Sequence, residues 1–221
     1  MATRRARKRE EKQERAAEMM AAAERVFARR PWSELTMADV AKEAGLAKST
    51  LFLYFPTRES LFLLVLEKLL TDFFGELTDG QQEGRARPTP GLAARWLAGL
   101  VDKHALMTRL MGLLPILEQN VEEGRLLRFR EFVFGNLLLA GDRLEERMAF
   151  LAPGDGARLV LRACAISAGL RQLTEPAALL RELFRKPELA SLSIDFRGEL
   201  TRALTALTAG MAGREWAGMS G

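Results

Sequence analysis

The sequence has one cysteine, one histidine, one tyrosine and no apolar run long enough to cross a bilayer. Cys164 has no second cysteine to pair with, which excludes an intrachain disulfide and suits a reducing compartment. A lone His and a lone Cys cannot furnish a His-rich or CxxC metal site. A GxGxxG turn after a strand, a GxxxxGK phosphate loop and a GxSxG nucleophile elbow are all missing. No metal, no cofactor and no catalytic constellation are therefore expected, and the chain reads as something other than an enzyme. The longest nearly unbroken apolar stretch, Phe132–Gly141, is interrupted by Asn136 and falls well short of the roughly 20 residues that span a bilayer. The first fifteen residues carry charges of both signs and no apolar h-region, so they do not read as a secretory signal. A cytoplasmic protein without a membrane partner is the expectation.

The 221 residues are 48% hydrophobic, enough to bury a sizeable core. Lys and Arg number 33 against 29 Asp and Glu, a net charge of +4. Residues 1–60 hold 13 of the basic residues and 9 of the acidic ones, so the whole excess belongs to them and the remaining 161 residues are neutral in sum. Five of the cations precede the first acid, Glu10. A basic arm leading into a compact helical unit suits a polyanion, because neutralising phosphates releases condensed counterions. A solvated, disordered tail is the other reading of the same charges.

Periodicity is helical throughout, with no convincing alternating strand. Glu10–Arg30 places Ala16, Met20, Ala23 and Phe27 on one face beside Val26, with Glu11 and Arg15 as an i,i+4 pair. Pro31 disfavours helical geometry in Arg30 and ends that helix. Thr36 can cap the next one with Asp39 near its positive end, and Gly45 suits the left-handed position that stops it after Ala44. A second short helix covers about Lys48–Phe55 and ends at Pro56, after which Thr57 can cap a longer helix from Arg58. Two short helices joined by a tight glycine turn and flanked by supporting helices make a helix-turn-helix layout, with Met37, Val40, Ala41, Leu46, Leu51 and Phe55 as shared core. Lys48, Ser49, Phe52 and Leu53 then form the outer face of the second helix. Its eight residues span about 12 Å, the width of a DNA major groove.

From Leu35 to Phe62 (LTMADVAKEAGLAKSTLFLYFPTRESLF) the sequence resembles the TetR family of bacterial transcriptional regulators, and the match extends over roughly Ala17 to Leu63. The resemblance implies that Lys48, Ser49 and Thr50 open a recognition helix. It also implies that Tyr54 touches the DNA backbone, and that the caps Thr36 and Thr57, with Arg58, meet phosphates, contacts that hydroxyls, cations and helix N-termini make readily. Three positions depart from the family pattern. Phe52 stands where a Tyr is usual, Leu53 where a His or Tyr often reads a base, and Ala47 in place of a capping Ser. Phe52 thereby lacks a phosphate hydrogen bond and Leu53 keeps only apolar contact, so direct base readout is sparse and recognition rests on Lys48, Ser49 and DNA shape.

In the neutral remainder, Asp79–Gly91 holds three Gly and two Pro, and further breaks fall at Pro115, 120–124, 152–156, 174–176 and Lys186-Pro187. The fold expected is all-α, with about nine or ten helices: a three-helix head with its basic arm over residues 1–60, a helical bundle over 61–213, and a tail over 214–221. Leu159, Ala163, Ile166 and Leu170 form one apolar stripe, and Phe196, Leu200, Leu204 and Leu207 another. The resemblance implies that these two helices seat a homodimer, which would let two heads read half-sites about 34 Å apart on double-stranded operator DNA. Ordinary intramolecular core is the alternative. Trp96, Leu100, His104, Met107, Met111 and Leu114 recur on a helical face, while Phe129, Val133 and Leu137 form another row with Phe132 and Asn136 beside it. Family members hold an inducer in this middle region, which makes Trp96, Leu100, His104, Met107, Met111, Phe129, Phe132 and Asn136 candidate contacts to a small apolar ligand. Plain core is again the alternative. The reading is a homodimeric repressor released from its operator by such a ligand. Its rivals are an activator of the same fold, a helical adaptor with a basic arm, and an enzyme using His104 as base.

Overall fold

The computed structural model describes residues 2–79, 88–174, 182–186, 188–189 and 193–213. Among the described residues there are ten α-helices and no strand, as the all-α reading expects. They are α1 (Ala2–Arg29), α2 (Met37–Glu43), α3 (Lys48–Tyr54), α4 (Arg58–Asp79), α5 (Pro90–Lys103), α6 (Ala105–Met111), α7 (Leu114–Leu117), α8 (Glu123–Arg147), α9 (Asp155–Thr174) and α10 (Phe196–Gly213). Most of the Gly- and Pro-rich stretch after Asp79, the break positions Pro176 and Pro187, and the tail over 214–221 lie outside the described residues.

The chain forms two compact units. The first comprises Met1–Leu69 and Leu113–Arg130, the second Leu70–Gly112 and Glu131–Gly221, so α4 and α8 each contribute to both.

In the first unit α1 begins at Ala2 and not at Glu10, because nothing before Glu10 breaks a helix. The segment has no Gly or Pro and is rich in Ala, Arg and Lys, all strong helix formers. Glu11 pairs with Arg7, at 3.3 Å, and not with Arg15. Further along, Met19, Ala22, Ala23, Val26 and Phe27 are buried, whereas Met20 is only half-buried. The Phe62 ring from α4 lies 5.7 Å from Phe27 and edge-on to Trp32 at 5.2 Å, closing an aromatic cluster under α2 and α3.

In the second unit α10 packs against α5 and α9. Thr208, fully buried on α10, donates its hydroxyl to the Pro90 carbonyl at 3.1 Å, so the polar group is satisfied where α5 begins. Where α8 meets α9, the two backbones approach through Gly141 and Gly156. A side chain on Gly156 would overlap the Gly141 carbonyl. The expected continuous stripe from Trp96 to Leu114 is broken at His104, which adopts φ −93° and ψ 47° between α5 and α6. Its N–H is shared between the Leu100 and Val101 carbonyls, a bend that no Gly or Pro in the sequence announces.

Candidate nucleic-acid interface

The head is assembled from local signals. Thr36 Oγ1 accepts from the Asp39 N–H at 3.2 Å while Asp39 Oδ2 accepts from the Thr36 N–H at 3.0 Å, a complete capping box on α2. The Thr36 hydroxyl donates to the same carboxylate at 2.7 Å, and these bonds, with Arg30 and Lys42 nearby, hold the Asp39 carboxyl below its ordinary value. Gly45 takes φ +68°, and the Leu46 N–H reaches back to the Ala41 carbonyl at 2.9 Å, so α2 stops within one residue. Glu43, at the end of α2, accepts from Arg25 at 2.7 Å and Arg29 at 2.6 Å. Those two hydrogen bonds hold its carboxyl low and clamp α2 to α1.

On this frame α3 begins after Ala47, whose side chain offers no cap. Leu51 is buried, and Lys48, Ser49, Phe52 and Leu53 face out together. Leu53 is 82% exposed and Phe52 40%. The Lys48 ammonium lies 5.6 Å from the centre of the Phe52 ring, one turn along the same face. Thr50 and Tyr54 sit half-buried at its edges.

Three residues expected to meet phosphate are turned to protein partners. The Thr36 hydroxyl lies inside its capping box. Thr57 caps α4, accepting from the Ser60 N–H at 3.0 Å and donating to the Asn120 carbonyl at 3.0 Å. Arg58 stacks its guanidinium 3.9 Å over Trp32 and donates to the Trp32 and Leu35 carbonyls, at 3.2 and 2.8 Å. Arg58 is therefore a brace between α4 and the chain entering α2; its charge at a helix N-terminus, unfavourable beside the positive end of the dipole, is turned away toward those carbonyls. Sequence reasoning also passed over Lys12, whose ammonium lies 5.8 Å from the Tyr54 ring at the end of α3.

The ligand candidates divide by burial. Leu100, Met107 and Phe129 are buried, while Trp96, His104, Met111, Phe132 and Asn136 are half-buried. His104 is edge-on to Phe73 at 5.5 Å, with Nε2 3.3 Å from Glu76 Oε1. Lys103 donates to the same carboxylate and, with His104, holds Glu76 low. Asn136 donates its amide to the Phe132 carbonyl one turn back, at 2.8 Å. Sequence reasoning missed Arg171, whose guanidinium stacks 3.5 Å over Phe196 and donates to Asp102 at 2.7 Å and Thr108 at 3.2 Å. That one side chain joins α5, α6, α9 and α10.

Of the stripes expected to seat a dimer, Leu159, Ala163, Phe196, Leu200 and Leu204 are buried in the chain's own core, and Ile166, Leu170 and Leu207 are half-buried. These stripes pack α9 and α10 within their own unit. The exposed side of α9 carries Leu161, Ala165, Gly169 and Leu173 at four-residue steps, and that of α10 carries Ala206, Ala209, Gly210 and Gly213.

Comparison with known proteins agrees with this architecture. Residues 19–65 match the family model described as bacterial regulatory proteins of the tetR family, and residues 67–215 match that of the tetracyclin repressor-like C-terminal domain. The HTH-type transcriptional regulator EthR of Mycobacterium tuberculosis is 33% identical over 52 residues, and that of Mycolicibacterium smegmatis 32% over 57. The matched stretch spans about a quarter of those relatives' length, 24% and 26%, and equal shares of this chain. A tetR-family transcriptional regulator from Streptomyces coelicolor shares the fold at a TM-score of 0.56 and 19% identity, over 90% of this chain and 80% of that one. The head and the bundle are thus each matched in turn, and the chain belongs to the TetR family of bacterial transcriptional regulators, a family of transcription factors and not of enzymes.

Proposed function

We propose that the protein is a homodimeric, cytoplasmic repressor that binds operator DNA and is released by a small apolar ligand. The observation that carries the DNA reading is the outward face of α3, where Lys48, Ser49, Phe52 and Leu53 stand together on a helix fixed by a capped α2 and a positive-φ glycine. Lys48 and Ser49 suit phosphate and base-edge contacts, and Phe52 and Leu53 suit thymine methyls. Thr50 and Tyr54 flank them, while Thr36, Thr57 and Arg58 serve by holding the helix in place. One helix of seven residues reads too little sequence alone, which favours a two-fold dimer. Its seat on this reading is the exposed side of α9 and α10, whose small residues allow close approach of a second copy.

In the effector region, half-buried Trp96, Met111 and Phe132 offer adaptable apolar surface, with His104 as a polar handle. A ligand lowers operator affinity only through better binding to a DNA-incompetent state, and a coupling of about 1–3 kcal/mol would weaken operator binding roughly 5- to 150-fold. The test is selection of bound duplexes from random or genomic fragments, followed by binding of Lys48→Ala to the recovered sequence. Recovery of a two-fold site, bound more weakly by the variant, is the expected result. Failure to enrich any sequence refutes the reading.

A further inference from the structure

We propose that one face of α1, carrying Arg9, Lys12 and Arg15, is a second phosphate-binding surface, which holds the sugar-phosphate strand bordering the groove at the C-terminal end of α3. This rests on the DNA reading of α3 and extends it to a part of the chain that precedes the matched family segment, residues 19–65.

The charges of the α1 extension are sorted by face. At 3.6 residues per turn, Arg9 and Arg15 fall within about 60° of Lys12. Glu10, Glu11, Glu14 and Glu18 all fall on the other side, where Glu11 pairs with Arg7. A tail that served only solubility would gain nothing from such sorting, because interspersed charges solvate equally well. The stripe runs in line with Met19 and Ala23, which are buried against the rest of the head. The cations therefore continue the buried face of α1. Lys12 fixes the point of contact, since its ammonium lies over the Tyr54 ring at the last residue of α3.

Most other cations of the head are already engaged. Arg25 and Arg29 bind Glu43, Arg30 binds Asp39 and Arg58 braces Trp32, whereas Arg9 and Arg15 are exposed and make no ion pair among the described residues. Between Ala2 and Glu18 there is no Leu, Ile, Val, Phe, Trp or Tyr, so this segment lacks the apolar face that an interfacial membrane helix inserts. A rigid cationic stripe without apolar residues suits the evenly spaced charges of a nucleic-acid backbone.

The experiment measures affinity for the selected operator across a salt series, using the full-length protein and the triple variant Arg9→Gln, Lys12→Gln, Arg15→Gln, with Lys48→Ala alongside. Gln preserves helix propensity, and circular dichroism matching wild type checks the fold. Each duplex is supplied in a short form ending at the recognised bases and in a form longer by several flanking base pairs. Loss of three phosphate contacts should flatten the slope of log K against log salt by about 2.7 per bound head. Between 50 and 200 mM salt the variant then loses roughly 40-fold less affinity per head than wild type does. It should also gain nothing from the longer duplex and keep the wild-type sequence preference, whereas Lys48→Ala keeps the gain from the longer duplex. Lys12→Gln alone should flatten the slope by about 0.9. An unchanged slope in the triple variant beside weakened binding by Lys48→Ala overturns the stripe and leaves the α3 reading standing. Absence of DNA binding by the wild type overturns both. Capture of phosphatidylserine vesicles by the wild type and not by the triple variant, with equal salt slopes on DNA, assigns the stripe to membranes and overturns it as well.

Discussion

Replacing Arg58 by Lys separates two jobs that the same charge could do. As a brace, Arg58 gives two hydrogen bonds to the Trp32 and Leu35 carbonyls and a stacked contact 3.9 Å over the Trp32 ring. A lysine ammonium on a flexible stem reaches one of these carbonyls at most and stacks less well than a planar guanidinium. One lost hydrogen bond at about 1 kcal/mol, plus part of a cation–π contact of about 0.5–1 kcal/mol, gives an expected destabilisation of about 1–2 kcal/mol. For a protein of this size that is roughly 2–8 °C in Tm. Arg58→Ala, which removes everything, should cost about 2–3 kcal/mol. As a phosphate contact, by contrast, Arg58 would be replaced by Lys with little loss of stability. Thermal melting of both variants, with operator binding in a salt series, distinguishes the two. If Arg58→Lys melts with wild type while Arg58→Ala flattens the salt slope by about 0.9, the side chain meets phosphate and the brace is refuted.

Four further outcomes are expected. Thr36→Ala should lower stability by about 1 kcal/mol through loss of the α2 cap, measured by thermal melting. Because the folded Asp39 carboxyl is held below its ordinary value, its contribution is complete above that value and is lost as the pH falls through the lower folded one. Acid titration should thus show wild type losing more stability below about pH 4 than Asp39→Asn does, and parallel curves would count against the capping box. Gly156→Ala drives a methyl into the Gly141 carbonyl, and overpacking against backbone should cost about 3 kcal/mol or more. Burial pushes the Cys164 thiol up to about 12, so native labelling should be very slow, and faster labelling in Gly156→Ala would report the opened α8–α9 contact. Gly169→Arg on the exposed side of α9 should turn a dimer into a monomer in sedimentation with the melting temperature little changed. A variant that sediments as wild type does removes that face from the dimer proposal.

How much of this was legible in the sequence depends on the range of each signal. The head was readable nearly residue by residue because Thr36, Asp39, Gly45, Pro56 and Thr57 act on backbone groups within a few positions of themselves. The Arg58 contacts were not legible, because a cation beside a helix N-terminus looks the same in sequence whether it faces solvent or reaches back to the Leu35 carbonyl. The bend at His104 has no breaker residue to mark it. The stripes on α9 and α10 show a different limit. Leu159 and Leu200 are the most apolar positions of amphipathic helices, and such positions are taken first by the chain's own core. The exposed side of α9, with Leu161, Ala165, Gly169 and Leu173, combines large and small residues and so gives a weaker periodic signal. The sorted charges of α1 were visible throughout, but they gain meaning only once the segment is a helix from Ala2.

The first unit is not contiguous: after Leu69 the chain leaves it and returns at Leu113–Arg130. During synthesis the last piece of the head therefore emerges after about 60 further residues, a delay of roughly 3–12 s at ribosomal rates. Until then the Thr57 hydroxyl lacks the Asn120 carbonyl and Glu67 lacks Arg125. A nascent chain holding only the helix-turn-helix segment therefore has an incomplete first unit, which is finished only after the residues of α5 and α6 have been made.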